Sequence, residues 1–136
     1  MPPLKDPLPI EPFPAPVDAT VAIPGSKSIT NRALVLSALS SGPTVIENAL
    51  FSRDTEIMAA ALRSLGFELE ADRAAARVRV EGLGGRVPAP EARVRVGNSG
   101  TSLRFLTAFV CLHPGGRYRF EGDPEIEVRP IAPLLD

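Results

Sequence analysis

The order of apolar and polar positions changes period several times along the chain, and each change marks an element. Thr20-Val21-Ala22-Ile23 alternates as a short strand does, and Pro24-Gly25-Ser26 reads as a turn. From Ser28 onward Ala33, Leu34, Leu36, Ala38 and Leu39 suit a helix, until Gly42-Pro43 ends the run. Residues 44–47 predict a second strand. Ser52 or Asp54 can cap a second helix with the buried stripe Ile57, Ala61, Leu62 and Leu65, and Gly66 fits its C-terminal cap. Residues 67–70 and 77–81 alternate with period two and predict a hairpin.

After the glycine-rich bend at 82–85 the pattern restarts. Residues 93–96 predict a strand, 97–100 a turn, 101–112 a helix and 117–121 another strand, with a helix beginning in 130–135. The order is β-α-β-α-β-β followed by β-α-β, an α/β (α+β) arrangement. Residues 21–28 and 94–101 share one layout, strand then turn then helix start, at an offset of about 73 residues. One supersecondary unit is therefore followed by part of a second, and a longer natural chain is expected.

The chain has 136 residues, enough for one domain, and 44% of them are apolar. No apolar run has bilayer length, and the N-terminus lacks the basic-then-apolar order of a signal peptide; a soluble, cytoplasmic protein is expected. Seven of the fifteen prolines fall within residues 2–16, which disfavours helix and central strand. Residues 1–19 are read as an extended arm that needs something to lie against. Cys111 has no cysteine partner, and its apolar run, Ala108-Phe109-Val110-Cys111-Leu112, predicts burial. His113 is the only histidine, which excludes a zinc site built on several, and it falls in a loop before Pro114-Gly115-Gly116. The net charge of −1 offers no global attraction to nucleic acid or membranes. Anion binding must come from local clusters.

Two such clusters stand out. Pro24-Gly25-Ser26-Lys27-Ser28-Ile29-Thr30-Asn31-Arg32 crosses from a strand end into a helix start, where free N–H groups and the helix dipole favour an anion. Gly25 permits close backbone approach, Lys27 adds a point charge, and Ser28 and Arg32 are four apart on one helix face. The alternative is a serine-capped helix with solvated charges. The segment is not a P-loop, since Ser26 precedes the lysine and the upstream glycine is missing. Gly97-Asn98-Ser99-Gly100-Thr101-Ser102-Leu103-Arg104 repeats the arrangement, with Thr101 as the possible cap and Arg104 one turn later; a plain glycine turn is its alternative. Parallel units can bring both turns to one end of the layer, around a ligand with two acidic groups.

On these residues the chain resembles the EPSP synthase family, the 3-phosphoshikimate 1-carboxyvinyltransferases. Gly25-Ser26-Lys27-Ser28 with Arg32 looks like the family signature, and the second turn is similar to its Gly-Asn-Ala-Gly-Thr turn, with Ser99 in place of alanine. Ser52-Arg53-Asp54-Thr55 falls where the family has an acidic helix start, and Glu121-Gly122-Asp123-Pro124 with Arg129-Pro130-Ile131 is similar to a fourth block. The sister family, which transfers the same group to a UDP-sugar, resembles Gly-Ser-Lys-Asn-Ala at the first motif and fits Ser28 with Arg32 less well.

The resemblance implies the enolpyruvyl transferase (EPT) inverse α/β barrel: two lobes, each of three β-α-β-α-β-β units, with the active site between them. Residues 20–136 would form part of the N-terminal lobe, with the C-terminal lobe of the same enzyme missing. The implied ligands are shikimate 3-phosphate and phosphoenolpyruvate, with no metal, no organic cofactor, no nucleic acid and no membrane; family members are usually monomeric. Carried over by position, Lys27 and Asp54 are near the chemistry, and Lys27 also touches phosphoenolpyruvate. Ser28 and Arg32 hold shikimate 3-phosphate, Asn98 and Gly100 line the phosphoenolpyruvate pocket, and Thr101 and Arg104 match positions at the same cleft. One residue departs from the pattern: Glu125 stands where the family has a phosphoenolpyruvate-binding arginine. Either it repels that ligand or the loop is shifted and Glu125 points into solvent. A non-catalytic phosphate-binding remnant is the rival reading from outside the enzyme class.

Overall fold

A computed structural model describes residues 6–135. In chain order the elements are α1 (Lys27–Leu39), β1 (Pro43–Ile46), α2 (Arg53–Ser64), β2 (Leu69–Asp72), β3 (Arg77–Glu81), β4 (Glu91–Gly97), α3 (Gly100–Val110), β5 (Arg117–Gly122), α4 (Pro124–Glu127) and α5 (Ala132–Leu135).

The first unit is built on β3, which pairs antiparallel with β1 on one side and β2 on the other. The alternation of Arg77-Val78-Arg79-Val80 sets the register. Val78 and Val80 are buried and the arginines exposed, so a one-residue slip would turn both valines to solvent. In the second unit β4 and β5 are parallel, Val94 facing Phe120, and α3 is the crossover between them.

One core serves both units. It joins Leu34 and Ala38 of α1, Met58, Ala61, Leu62 and Leu65 on and after α2, Val78 and Val80 of β3, Val94 and Val96 of β4, and Leu106 and Phe109 of α3. Each large side chain buried this way contributes about 1.5–3 kcal/mol relative to exposure. Helix α2 packs on both α1 and β4 and so lies between the units. Phe67 and Phe109 meet edge to face, with ring centroids 5.6 Å apart, and tie the units together a second time.

Several expectations are corrected. Residues 20–23 form no strand: Val21 and Ile23 are 76% and 78% exposed, and no neighbouring strand among the described residues offers them a ladder. Residues 6–24 are exposed and carry no helix or strand; the rest of the proline-rich arm, residues 1–5, lies outside the described residues. In the buried stripe of α2 Met58 joins Ala61 and Leu62 in place of Ile57, which is half-buried and leans towards Gly97. Helix α3 is capped by Ser99, whose hydroxyl accepts from the Ser102 N–H at 3.3 Å, so the helix starts at Gly100 and Thr101 is its exposed second residue. Cys111 is exposed: the inward stripe of α3 ends at Phe109 and Val110, and the thiol donates to the Thr107 carbonyl at 3.3 Å beyond it. The short α4, with Pro124 at its start, was not expected.

Candidate anion-binding site

The first turn is fixed by what lies beneath it. Ser26 is extended and caps α1, its hydroxyl accepting from the Ile29 N–H at 3.4 Å and its carbonyl from the Thr30 N–H at 2.9 Å. Thr30 is buried, and its hydroxyl accepts from the Leu50 N–H at 3.0 Å, which pins α1 to the connection leading into α2. Gly25 lies against that connection so closely that a Cβ would fall 1.9 Å from the Asn48 carbonyl oxygen. Lys27, Ser28 and Arg32 are thereby presented to solvent at the helix start, while Asn31 is buried with no partner for its Oδ1.

The first turn of α2 stands between the two motifs. The Ser52 N–H donates to the Thr55 hydroxyl at 2.9 Å, and the same hydroxyl donates to the Leu50 carbonyl at 2.7 Å. On this frame Asp54 Oδ2 lies 2.9 Å from Lys27 Nζ, and Arg53 Nη2 lies 2.7 Å from Asp123 Oδ2. Both cationic side chains are more than half exposed, so each pair contributes under about 1 kcal/mol to stability. Their effect is to orient charge.

The second turn abuts α2 from the other side. Gly97 is left-handed at φ 51°, and a Cβ there would lie 3.0 Å from Ile57 Cδ1 and 3.8 Å from Arg53 Nη2. The Asp123 N–H donates to the Gly97 carbonyl at 3.0 Å, so the block after β5 closes over the turn. Gly100 then opens α3 beneath two guanidinium groups: Arg129 Nη1 and Arg104 Nη1 lie 3.0 and 3.1 Å from the position of a Cβ on Gly100. Arg104 donates from Nη2 to the Pro130 carbonyl at 2.9 Å, which couples the two arginines' segments. Asn98 Oδ1 is buried without a hydrogen-bond partner.

Both motifs therefore flank the N-terminal end of α2. Direct contact joins Lys27 to Asp54 and Arg104 to Gly100; Asn98 and Thr101 are on the second turn, and Ser28 and Arg32 stay on the open face of α1. Among the described residues no carboxylate lies within ion-pair distance of Arg32, Arg104 or Arg129. The two guanidinium atoms over Gly100 are at most about 6 Å apart, which at an effective dielectric near 20 costs on the order of 3 kcal/mol before screening. Glu125, on α4, is exposed and in no ion pair among the described residues. Sequence reasoning missed Arg53, Asp123 and Arg129 at this site. All three sit inside the quoted motifs, but only the packing of α2 against the second turn reveals their contacts. A groove of about 580 Å³, lined by Glu68, Leu83, Arg86 and His113, lies at the C-terminal ends of α2 and α3 and offers no helix N-terminus.

The family profile described as EPSP synthase (3-phosphoshikimate 1-carboxyvinyltransferase) matches residues 13–136. The chain belongs to the EPSP synthase family. A 3-phosphoshikimate 1-carboxyvinyltransferase of Nostoc punctiforme is 48% identical over 120 residues, covering 88% of this chain and 28% of the relative. One from Opitutus terrae is 45% identical over 135 residues, covering 98% and 31%. The EPSP synthase structure from Acinetobacter baumannii superposes with a TM-score of 0.71 at 26% identity, over 85% of this chain and 26% of that one. The chain thus spans under a third of the length of the EPSP synthases it matches, and its mixed helix-and-strand repeats are those of that fold.

Proposed function

We propose that this chain is the N-terminal part of an enzyme that transfers the enolpyruvyl group of phosphoenolpyruvate to the 5-hydroxyl of shikimate 3-phosphate, releasing phosphate. The observation that carries the reading is the pair of cationic turns on either side of the α2 N-terminus, in a chain of the EPSP synthase family. The domain division is part of the proposal: residues 1–19 form an arm and 20–136 a partial N-terminal lobe, completed by a C-terminal lobe. A cytoplasmic setting belongs to it as well.

In this reading Ser28 and Arg32, with the free N–H groups of α1, hold the phosphate of shikimate 3-phosphate. Lys27, oriented by Asp54 at 2.9 Å, reaches the phosphoenolpyruvate oxygens at the point of bond formation. Asn98, Gly100, Thr101 and Arg104 line the phosphoenolpyruvate side. The hydroxyl gives up its proton as its oxygen attacks C2 of phosphoenolpyruvate and C3 takes a proton. The tetrahedral intermediate then loses a proton from C3 as its C2–O bond to phosphate breaks, which restores the double bond and releases phosphate. Fixed cations stabilise the charges along this path.

Two results are expected of the chain by itself. In a backbone-amide NMR titration shikimate 3-phosphate binds weakly, since part of its surroundings is absent, and the largest shifts cluster at residues 25–32. A charge-assisted contact is worth roughly 1.5–3 kcal/mol, so Arg32→Ala weakens binding by about tenfold or more. Arg63→Ala, whose side chain is exposed and donates to the Leu69 carbonyl, changes it little. Equal effects of the two substitutions would reduce the site to non-specific anion attraction. A phosphate-release assay with both substrates is expected to show no turnover. Turnover that persists through repurification and disappears in Lys27→Ala would overturn the division of the chemistry between two lobes.

A further inference from the structure

Arg129, beside Arg104 over Gly100, is the cation that the roles above leave unused. Two guanidiniums converge on one glycine, and no carboxylate among the described residues pairs with either. The arrangement is held by the chain itself. Arg104 is anchored at Nη2 by the Pro130 carbonyl and at Nη1 by the Gly100 carbonyl at 3.4 Å. Arg129 arrives from the segment after α4, whose Asp123 is locked to Gly97 and Arg53. Gly100, lacking a Cβ, lets both guanidiniums come down onto the start of α3, where the glycine is buried.

We infer that Arg129 is a substrate-binding residue: with Arg104 it forms a two-guanidinium clamp over Gly100 that grips an oxyanion group, phosphate or carboxylate, of phosphoenolpyruvate. Planar guanidinium forks match either group with paired N–H donors, and their mutual repulsion is relieved when an anion enters between them. The clamp supplies cationic charge to a pocket whose neighbouring α4 carries Glu125. This inference rests on the proposed function, because it takes phosphoenolpyruvate as the ligand of the second turn.

The test is an amide NMR titration of the chain with phosphoenolpyruvate, using Arg129→Gln and Arg104→Gln. Both side chains belong to exposed residues, so the variants are expected to fold, with spectra unchanged away from residues 97–104. Each substitution should weaken phosphoenolpyruvate binding at the second turn at least fivefold, while shikimate 3-phosphate binding at residues 25–32 keeps its strength. Inorganic phosphate and pyruvate are added as competitors: displacement by the first assigns the clamp to the phosphate, by the second to the carboxylate, and either supports it. Phosphoenolpyruvate binding that is unaffected by Arg129→Gln overturns the clamp and leaves the proposed function standing. Loss of shikimate 3-phosphate binding with the second turn still responding to phosphoenolpyruvate does the reverse.

Discussion

Gly25→Ala is expected to abolish measurable shikimate 3-phosphate binding and to lower the unfolding midpoint at the same time. The added methyl falls 1.9 Å from the Asn48 carbonyl oxygen and 3.1 Å from the Leu50 nitrogen. Unstrained contacts of this kind need about 3.5 Å, so more than about 1 Å must be opened. Neither neighbour can yield by rotating a side chain, because both are backbone. The Ala49 N–H is bonded to the Ala76 carbonyl at 2.8 Å, and the Leu50 N–H to Thr30 Oγ1. The turn of residues 24–28 must therefore move. That movement re-aims the free N–H groups of α1 and draws Lys27 from Asp54. Overpacking of this kind costs about 1–3 kcal/mol in stability. A displacement near 1 Å at a charge-binding turn costs roughly a hundredfold in function. Gly42→Ala is the matched control, since nothing lies within 4 Å of its Cβ position and its φ is not left-handed. Thermal unfolding and the same NMR titration read both effects. Binding by Gly25→Ala within about twofold of the parent would show that the first turn is not the anion site.

Much of this architecture was readable because local chemistry and tertiary packing agree. The Arg77-Val78-Arg79-Val80 alternation, the left-handed Gly66 after α2 and the serine before α2 each act through neighbours a few residues away, and each stands where its residue type predicts. The failures occur where a partner far along the chain decides. Residues 20–23 have a strand's pattern but no strand beside them among the described residues. Cys111 has an apolar neighbourhood in sequence, yet it falls after the last inward turn of α3. At the site, the two turns were legible as separate strand-to-helix junctions. Their common post was not: it depends on Arg53 reaching Asp123, 70 positions away, and on Ile57 turning towards Gly97. The choice between Ser99 and Thr101 as the cap of α3 is a different case. Both are good caps, and the buried Ser99–Ser102 hydroxyl pair at 2.9 Å decides between them.

Because α2 carries Asp54 and Arg53 between the two turns, the stability of its inner face sets the stability of the site. Leu62→Ala is expected to destabilise the chain by about 2–5 kcal/mol, the transfer and cavity cost of a fully buried leucine. Leu62 is 0% exposed, in a core shared by α1, β3, β4 and α3, so several elements would have to collapse together to refill the space. Domains of this size have only about 5–15 kcal/mol in total. The second unit adds little reserve, since its sheet has two strands among the described residues. The urea midpoint should fall steeply with an unchanged m-value, the mark of lost stability with the same surface exposed on unfolding. The thermal midpoint should drop by roughly 10–20 °C. Arg63→Ala, the next residue along and exposed, should stay within about 0.5 kcal/mol of the parent. At urea concentrations that unfold Leu62→Ala but not the parent, shifts at residues 25–32 on adding shikimate 3-phosphate should vanish in the variant alone. Equal midpoints for the two substitutions would mean that α2 is not packed between the units, and the common post of the two turns would be lost with it.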